Sequence, residues 1–170
     1  MANLRLEQYA GPLTGNVDVP SYISGYVDGE GCFSVSISPR SKLLAGWEVR
    51  PSLSVSQNAD RSEVLMAIQQ YFGCGSLRPD RSDRTLKWEV RSLPLLVQRV
   101  IPHFERYPLL SGKQCDFELF AGICRRMVSG DRRRPEQLAE IVAMADRMNP
   151  SGQRGYRAAE IIDSLLKVKA

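Results

Sequence analysis

The sequence predicts an α+β domain in which a helix followed by a two-stranded hairpin occurs twice, αββαββ, with further helices completing the chain. Three observations lead there. Ser21, Gly25 and Gly29 recur every four residues, which aligns them on one side of a helix and leaves that side nearly bare. Phe33 to Ser38, Trp47 to Ser56 and Thr85 to Arg91 alternate apolar and polar residues with period two. From Leu110 onward the apolar residues return at helical spacing.

Residues 1–19 carry no charged-then-apolar signal pattern and read as an irregular lead-in. Pro20 suits a first helical turn, Ile23, Tyr26 and Val27 offer an apolar surface to a core, and Gly29 and Gly31 favour termination. Asp28 and Glu30 therefore sit at a helix C-terminus, where the dipole disfavours negative charge. Acids there need a cation, a cap or a partner; a glycine-rich helix stop with solvated acids is the competing reading.

In the first hairpin Phe33, Val35 and Ile37 alternate with Ser34, Ser36 and Ser38, and Pro39 to Gly46 forms the loop with Arg40 and Lys42. The return strand sets Trp47, Val49, Leu53 and Val55 against Glu48, Arg50, Ser52, Ser54 and Ser56, and Pro51 suggests a bulge or an edge strand. The hydroxyl-rich face is either ordinary solvent-exposed strand or a hydrogen-bonding surface laid along DNA, with Arg40, Lys42 and Arg50 adding charge.

Asp60 is expected to cap a helix, with Glu63 completing a capping-box-like arrangement. That helix runs through Val64, Leu65, Ile68 and Tyr71 to Phe72, and Gly73 stops it. Gly75 to Pro79, a turn at Asp80 to Asp83, and Thr85 to Arg91 make a second hairpin. Its Leu86, Trp88 and Val90 face one way, and Thr85, Lys87, Glu89 and Arg91 the other. Arg78 on its first strand joins the basic set. A short helix runs from Leu93 to about Ile101, with Pro94 in its first turn. Pro102 to Pro108 reads as a connection, and the one histidine, His103, as structural or merely exposed.

Leu110 to Met127 is helical along Phe117, Phe120, Ile123, Cys124 and Met127. The Arg132–Arg134 run is a solvated loop or a phosphate contact. Glu136 to Met148 repeats the spacing at Leu138, Ile141, Val142 and Ala145; Asn149 to Gly152 breaks it. A last helix carries Ile161, Ile162, Leu165 and Leu166.

Composition narrows the function classes. A chain of 170 residues with 43% hydrophobic and 25% charged residues is one ordinary soluble domain. A net charge of +4 permits a nucleic-acid partner without requiring one. Cys32, Cys74, Cys115 and Cys124 are scattered beside a single histidine, which argues against structural zinc and for a reduced intracellular setting. No apolar run reaches the length of a membrane span. The expected location is the cytoplasm, nucleoid or an organelle matrix, without secretion.

Ile23-Ser-Gly-Tyr-Val-Asp-Gly-Glu-Gly31, continued by Cys32-Phe33, resembles the signature of the LAGLIDADG homing endonucleases. The resemblance implies that family's fold, with a saddle-shaped antiparallel sheet whose concave face rides on DNA. It places the motif helix at the interface between two similar halves, through Ser21, Gly25, Asp28 and Gly29. It assigns the divalent metal to Glu30, beside Gly29; a glutamate stands where many relatives carry aspartate, and both are hard oxygen ligands suited to magnesium. Ser24 replaces alanine, small for small.

Further residues match the family's pattern: Gln57 as the water-positioning polar group, Arg61 as its basic companion, and Lys113 as the cation steadying phosphate or attacking water. Gln57 falls on the apolar phase of its strand, so a kink at the strand end must turn it toward the site. Simpler roles compete: Gln57 as a turn residue, Arg61 as a partner of Asp60 or Glu63, Lys113 as a solvated helix start. One motif supplies one metal carboxylate, so a working site requires a second subunit. The candidate DNA contacts are Ser34, Ser36, Ser38, Arg40, Lys42, Arg50, Ser52, Ser54, Ser56, Arg78, Lys87 and Arg91.

The expected protein is thus a homodimer that cuts a long, near-palindromic duplex with magnesium. Its division is a lead-in over 1–19, a core over 20–129 and a helical extension over 130–170. An RNA maturase folding an intron on the same scaffold, and a DNA-binding regulator with a dead site, are the alternatives. The presence of Glu30, Gln57, Arg61 and Lys113 together favours cleavage.

Overall fold

A computed structural model describes residues 18–80, 84–130, 134–150 and 155–167. Helix α1 (Val19–Glu30) leads directly into β1 (Gly31–Pro39) and β2 (Trp47–Asn58). A 3₁₀ turn (Ala59–Arg61) precedes α2 (Glu63–Phe72), and β3 (Ser76–Pro79) and β4 (Thr85–Val90) form the second hairpin. Then come α3 (Leu93–Leu95), a π-helical stretch (Leu96–Val100), α4 (Ile101–Arg106), α5 (Lys113–Ser129), α6 (Pro135–Asp146) and α7 (Ala158–Lys167). The lead-in before Asp18, most of the Asp80–Asp83 turn, Arg132 and Arg133, and Ser151 and Gly152 of the expected break lie outside the described residues.

The strands form one antiparallel sheet of order β1-β2-β4-β3. Register follows the period-two pattern, because a slip of one residue would turn the apolar set to water. Phe33 lies opposite Leu53, Leu53 opposite Val90, and Val55 and Leu77 opposite Trp88. On that side Phe33, Leu53, Val55, Trp88 and Val90 are buried with Ile23 and Val27 of α1, Leu65, Ile68 and Phe72 of α2, and Phe117 and Phe120 of α5. Phe33 is the hub, its ring centroid 5.3 Å from Phe104, 5.4 Å from Phe117 and 5.2 Å from Phe120. Such aromatic pairs add to burial because ring edges meet ring faces.

Leu138, Ile141, Val142 and Ala145 of α6 and Ile161 and Leu165 of α7 join the same core, while Leu166 is 49% exposed. Two side chains tie this C-terminal pair to the first hairpin. Asn149 Nδ2 donates to Phe33 O at 2.8 Å, and Trp47 Nε1 donates to Ser164 Oγ at 2.8 Å.

The structure corrects four local expectations. Pro51 causes no bulge, and β2 lies inside the sheet. The β2–β4 pairing begins only at Leu53 opposite Val90, so on that side Pro51 has no neighbour that needs its missing N–H. Asp60 does not cap α2; it sits within the 3₁₀ turn, and Ser62 takes the cap position without a side-chain cap bond. Pro102 to Arg106 is helical, not a connection. There the π stretch widens the turn, with Ile101 N–H bonding Leu96 O, and Pro102 enters early in α4, where it need not donate. Finally, α5 starts at Lys113, three residues later than the apolar pattern suggested. Gly73 does end α2, at φ +59°.

Candidate active site and nucleic-acid interface

Helix α1 divides as its small-residue spacing requires. Ile23 and Val27 are buried, whereas Ser21, Gly25 and Gly29 are exposed. Nothing lies within 4 Å of where a Cβ would stand on either glycine, so the bare side is open at Gly25 and Gly29. Glu30 ends the helix with its carboxylate in solvent and, among the described residues, no hydrogen bond or ion pair.

The cation that the helix end calls for is Lys113. Its Nζ donates to Gly31 O at 2.6 Å, Val27 O at 3.0 Å and, more loosely, Gly29 O at 3.4 Å. It therefore joins the last turn of α1, where Val27 O also accepts the Gly31 N–H, to the start of β1, and sets a positive charge against the negative end of the dipole. Lys113 neither waits free in solvent nor serves as a plain helix start.

Asp28 is bound within the chain. Its Oδ2 accepts from Leu110 N at 3.1 Å and Ser111 N at 3.0 Å, and Oδ1 accepts from the Ser111 hydroxyl. Partial burial works against its charge, but the Ser111 and Leu110 bonds and nearby Lys113 outweigh that and hold its pKa below the ordinary carboxylate value. Of the two acids only Glu30 makes no hydrogen bond or ion pair among the described residues.

Gln57 requires no kink. β2 stays regular to Asn58, with Gln57 opposite Leu86. On the helix-facing side of the sheet its Nε2 donates to Tyr26 Oη at 2.6 Å, and its Oε1 accepts from Asn58 N at 2.7 Å. Burial lifts the Tyr26 phenol above its ordinary pKa; the Gln57 bond opposes the shift and the neighbouring Glu30 charge adds to it. Tyr26, bonded to Gln57, thus lies close enough to Glu30 to feel its charge, while Lys113 holds the helix end. Arg61, exposed on the 3₁₀ turn, makes no hydrogen bond or ion pair with any of them.

On the other face of the sheet no residue of the Ser34, Ser36, Ser38, Ser52, Ser54 and Ser56 set is buried; Ser36 is exposed and the other five are half-buried. Ser34 pairs with Ser52, Ser36 with Arg50, Ser56 with Lys87, and Lys87 with Arg78. Arg40 and Lys42 stand at the hairpin tip and Arg91 just past β4. Two acids interrupt this basic face, and both are paired. Glu48 takes Arg40 at 2.7 Å and Arg50 at 2.5 Å, and Glu89 takes Arg91 at 2.8 Å.

The sequence model of the LAGLIDADG endonuclease family matches residues 23–124. The chain belongs to that family. The match spans α1, both hairpins and most of α5. A probable intron-encoded endonuclease of Neurospora crassa is 34% identical over 126 residues, which are 72% of this chain and 27% of that protein. This chain thus spans about a quarter of the length of that relative. The homing endonuclease I-ApeII of Aeropyrum pernix is 34% identical over 116 residues, 68% of either chain. Among solved structures, the archaeal intron-encoded homing endonuclease I-Vdi141I, complexed with DNA, superposes with a TM-score of 0.81 at 26% identity, covering 88% of this chain and 96% of that one.

Where the chain departs from the LAGLIDADG pattern, at Ser24, the structure supplies a reason. Ser24 is buried; its hydroxyl donates to Tyr107 O at 2.7 Å and lies 3.1 Å from His103 Nε2. With the Ser24 proton so committed, His103 Nε2 is the donor, and Nδ1 accepts from the Tyr71 hydroxyl 3.0 Å away. Burial pushes the His103 pKa down to about 4, so the ring is neutral at physiological pH. The structural reading of His103 holds, while the partners Tyr26 and Ser111 escaped the sequence reading, because only the long-range pairing of α1 with β2 and the 110–111 loop reveals them. All four cysteines are free, and no helix among the described residues is long and apolar enough to cross a membrane.

Proposed function

We propose that the protein is a site-specific double-strand DNA endonuclease acting as a homodimer with a divalent cation, magnesium by preference. The observation that carries this reading is Glu30: an unpaired, exposed carboxylate ending a helix whose bare side is open to a second copy. Among the described residues of one chain, no three His, Cys, Asp or Glu groups gather to hold an ion. Two copies joined along Gly25 and Gly29 would bring two Glu30 carboxylates to one axis. Paired carboxylates repel unless a cation lies between them, and their hard oxygens suit magnesium. Gly29, next in the chain, would offer its carbonyl as a further ligand.

A bound divalent ion would supply Lewis-acid stabilisation and an activated water. The chain's own residues do the remaining work. Gln57, its amide pinned between Tyr26 and Asn58, orients water at the Glu30 end. Lys113 holds the α1 terminus that presents Glu30 and offsets its negative field. Arg61, exposed and unpaired among the described residues, steadies a phosphate. The open polar face of the sheet lies along the major groove. β1 has 9 residues and β2 has 12, so at about 3.3 Å per residue each half covers roughly 30–40 Å of duplex, consistent with a long, near-palindromic target. In this reading residues 20–129 are the cutting core, and the 130–170 extension braces the first hairpin through Asn149 and Ser164.

Incubation with a library of random duplexes and magnesium, followed by mapping of the cut ends, tests the proposal. The expected product is a paired double-strand break at one recurring, near-palindromic sequence. Specific binding without cuts would favour the regulator, and binding of folded RNA alone would favour the maturase.

A further inference from the structure

The basic sheet face holds an acid in a place where phosphate binding alone would disfavour it. Glu48 sits on the groove-facing side of β2, directly opposite Ser38. Its carboxylate receives Arg40 Nη1 at both oxygens, at 2.9 and 2.7 Å, and Arg50 Nη2 at 2.5 Å. The side chain of Glu48 is 23% exposed, against 45% for Arg40 and 56% for Arg50, so the acid lies beneath the two guanidinium groups. The backbone reinforces the arrangement, since Arg40 N–H closes the hairpin on Gly46 O at 2.7 Å. A phosphate contact needs positive charge and tolerates a mobile arm. A carboxylate that cancels part of the charge and fixes the guanidinium plane serves a contact with strict direction. Bidentate donation to O6 and N7 of guanine is such a contact.

Resting on the endonuclease reading above, we propose that Arg50 is a specificity-determining residue that reads one guanine in each half-site, and that Glu48, shared with Arg40, is the positioning residue that aims it. The place of the base follows from the register. Arg50 lies opposite Ser36, five residues along β1 from Gly31, where the strand leaves α1 and Glu30. Strand residues advance about 3.3 Å each and bases about 3.4 Å each, so Arg50 sits roughly 17 Å out, or about five base pairs. The side chain's own reach widens this to about five to seven base pairs from the bond nearest Glu30.

Cleavage profiling on half-sites randomised one position at a time tests this, with wild type, Arg50→Ala, Arg50→Lys and Glu48→Gln at one salt concentration. The wild type should demand guanine at one position about five to seven base pairs from the cut. Arg50→Ala should lower that preference roughly ten- to hundred-fold while leaving every other position unchanged. Arg50→Lys should retain affinity but not the full preference. Glu48→Gln should weaken the same preference while tightening binding to all duplexes, because a negative charge has left the face. A guanine preference left intact in Arg50→Ala and in Glu48→Gln, with affinity changed by one common factor for all sequences, would overturn the proposal and make Arg50 a phosphate contact. A wild type that selects a duplex but shows no guanine requirement in that window overturns this inference alone. A wild type that selects no duplex at all overturns the endonuclease reading with it.

Discussion

Replacing Lys113 with methionine removes the cation at the end of α1 while keeping an unbranched side chain of similar length. Two of its three carbonyl contacts, at 2.6 and 3.0 Å, fall within hydrogen-bond range, and the third, at 3.4 Å, is marginal. Hydrogen bonds to a charged group contribute about 1.5–3 kcal/mol each, but water can replace part of this because Lys113 is only half-buried. The charge at the helix terminus adds about 0.3–1 kcal/mol. The net expectation is a loss of about 2–3 kcal/mol, equivalent to roughly 5–10 °C in Tm for a chain of this size. Thermal melting followed by far-UV circular dichroism, without DNA or metal, measures it. A melting temperature equal to that of wild type, with cleavage alone lost, would refute the capping role and return Lys113 to a free phosphate-binding arm.

Four further outcomes follow from other parts of the molecule. Gly29→Leu meets open space within one chain, so secondary structure should persist while the dimer and activity are lost; sedimentation of the wild type as a monomer on DNA would contradict this. Gly75→Ala forces a side chain onto φ +86° with its Cβ 2.4 Å from Trp88 Nε1, and should cost at least about 2 kcal/mol in urea unfolding, against no measurable loss if the loop simply shifts. His103 is neutral when folded, with a pKa of about 4, and protonates near 6.5 when unfolded, so the unfolded chain binds more protons between those values. Stability should be complete above pH 6.5 and fall by roughly 3 kcal/mol as pH drops to about 4, a slope that His103→Phe should flatten in pH-dependent unfolding. Lys87→Ala should reduce the slope of log binding constant against log salt by about one unit; an unchanged slope would remove it from the phosphate contacts.

The apolar periodicities were legible because each element carries its own burial pattern. Phe33 and Val35, Leu53 and Val55, and Trp88 and Val90 alternate as a one-sided sheet demands, and all are buried. The helical stripe from Phe117 to Met127 is buried as its spacing implied. Local pattern failed where a distant partner decides the outcome. Pro51 is tolerated inside the sheet because β4 stops short of it, a fact of β2–β4 register. Pro102 stays helical because a π turn precedes it; His103 is structural, as one of its two readings had it, and its partners Ser24 on α1 and Tyr71 on α2 are again distant in the chain. The site shows the same division. Glu30 and the bare helix side lie within one twelve-residue helix and were readable there. Lys113 on the carbonyls at the α1–β1 junction, Asp28 on Ser111 and Gln57 on Tyr26 each join residues far apart in the chain, and no spacing rule reports them.

In the proposed enzyme Glu30 holds the metal and does not hold the DNA. Binding and cutting of one cognate duplex, measured separately for wild type and Glu30→Gln, address it directly. The amide keeps the size and removes the charge. Affinity should persist or tighten slightly, since the sheet makes the phosphate and groove contacts. Cleavage should fall by several orders of magnitude, since no carboxylate remains to hold the ion that activates water. A Glu30→Gln protein that cuts as fast as wild type would contradict the account.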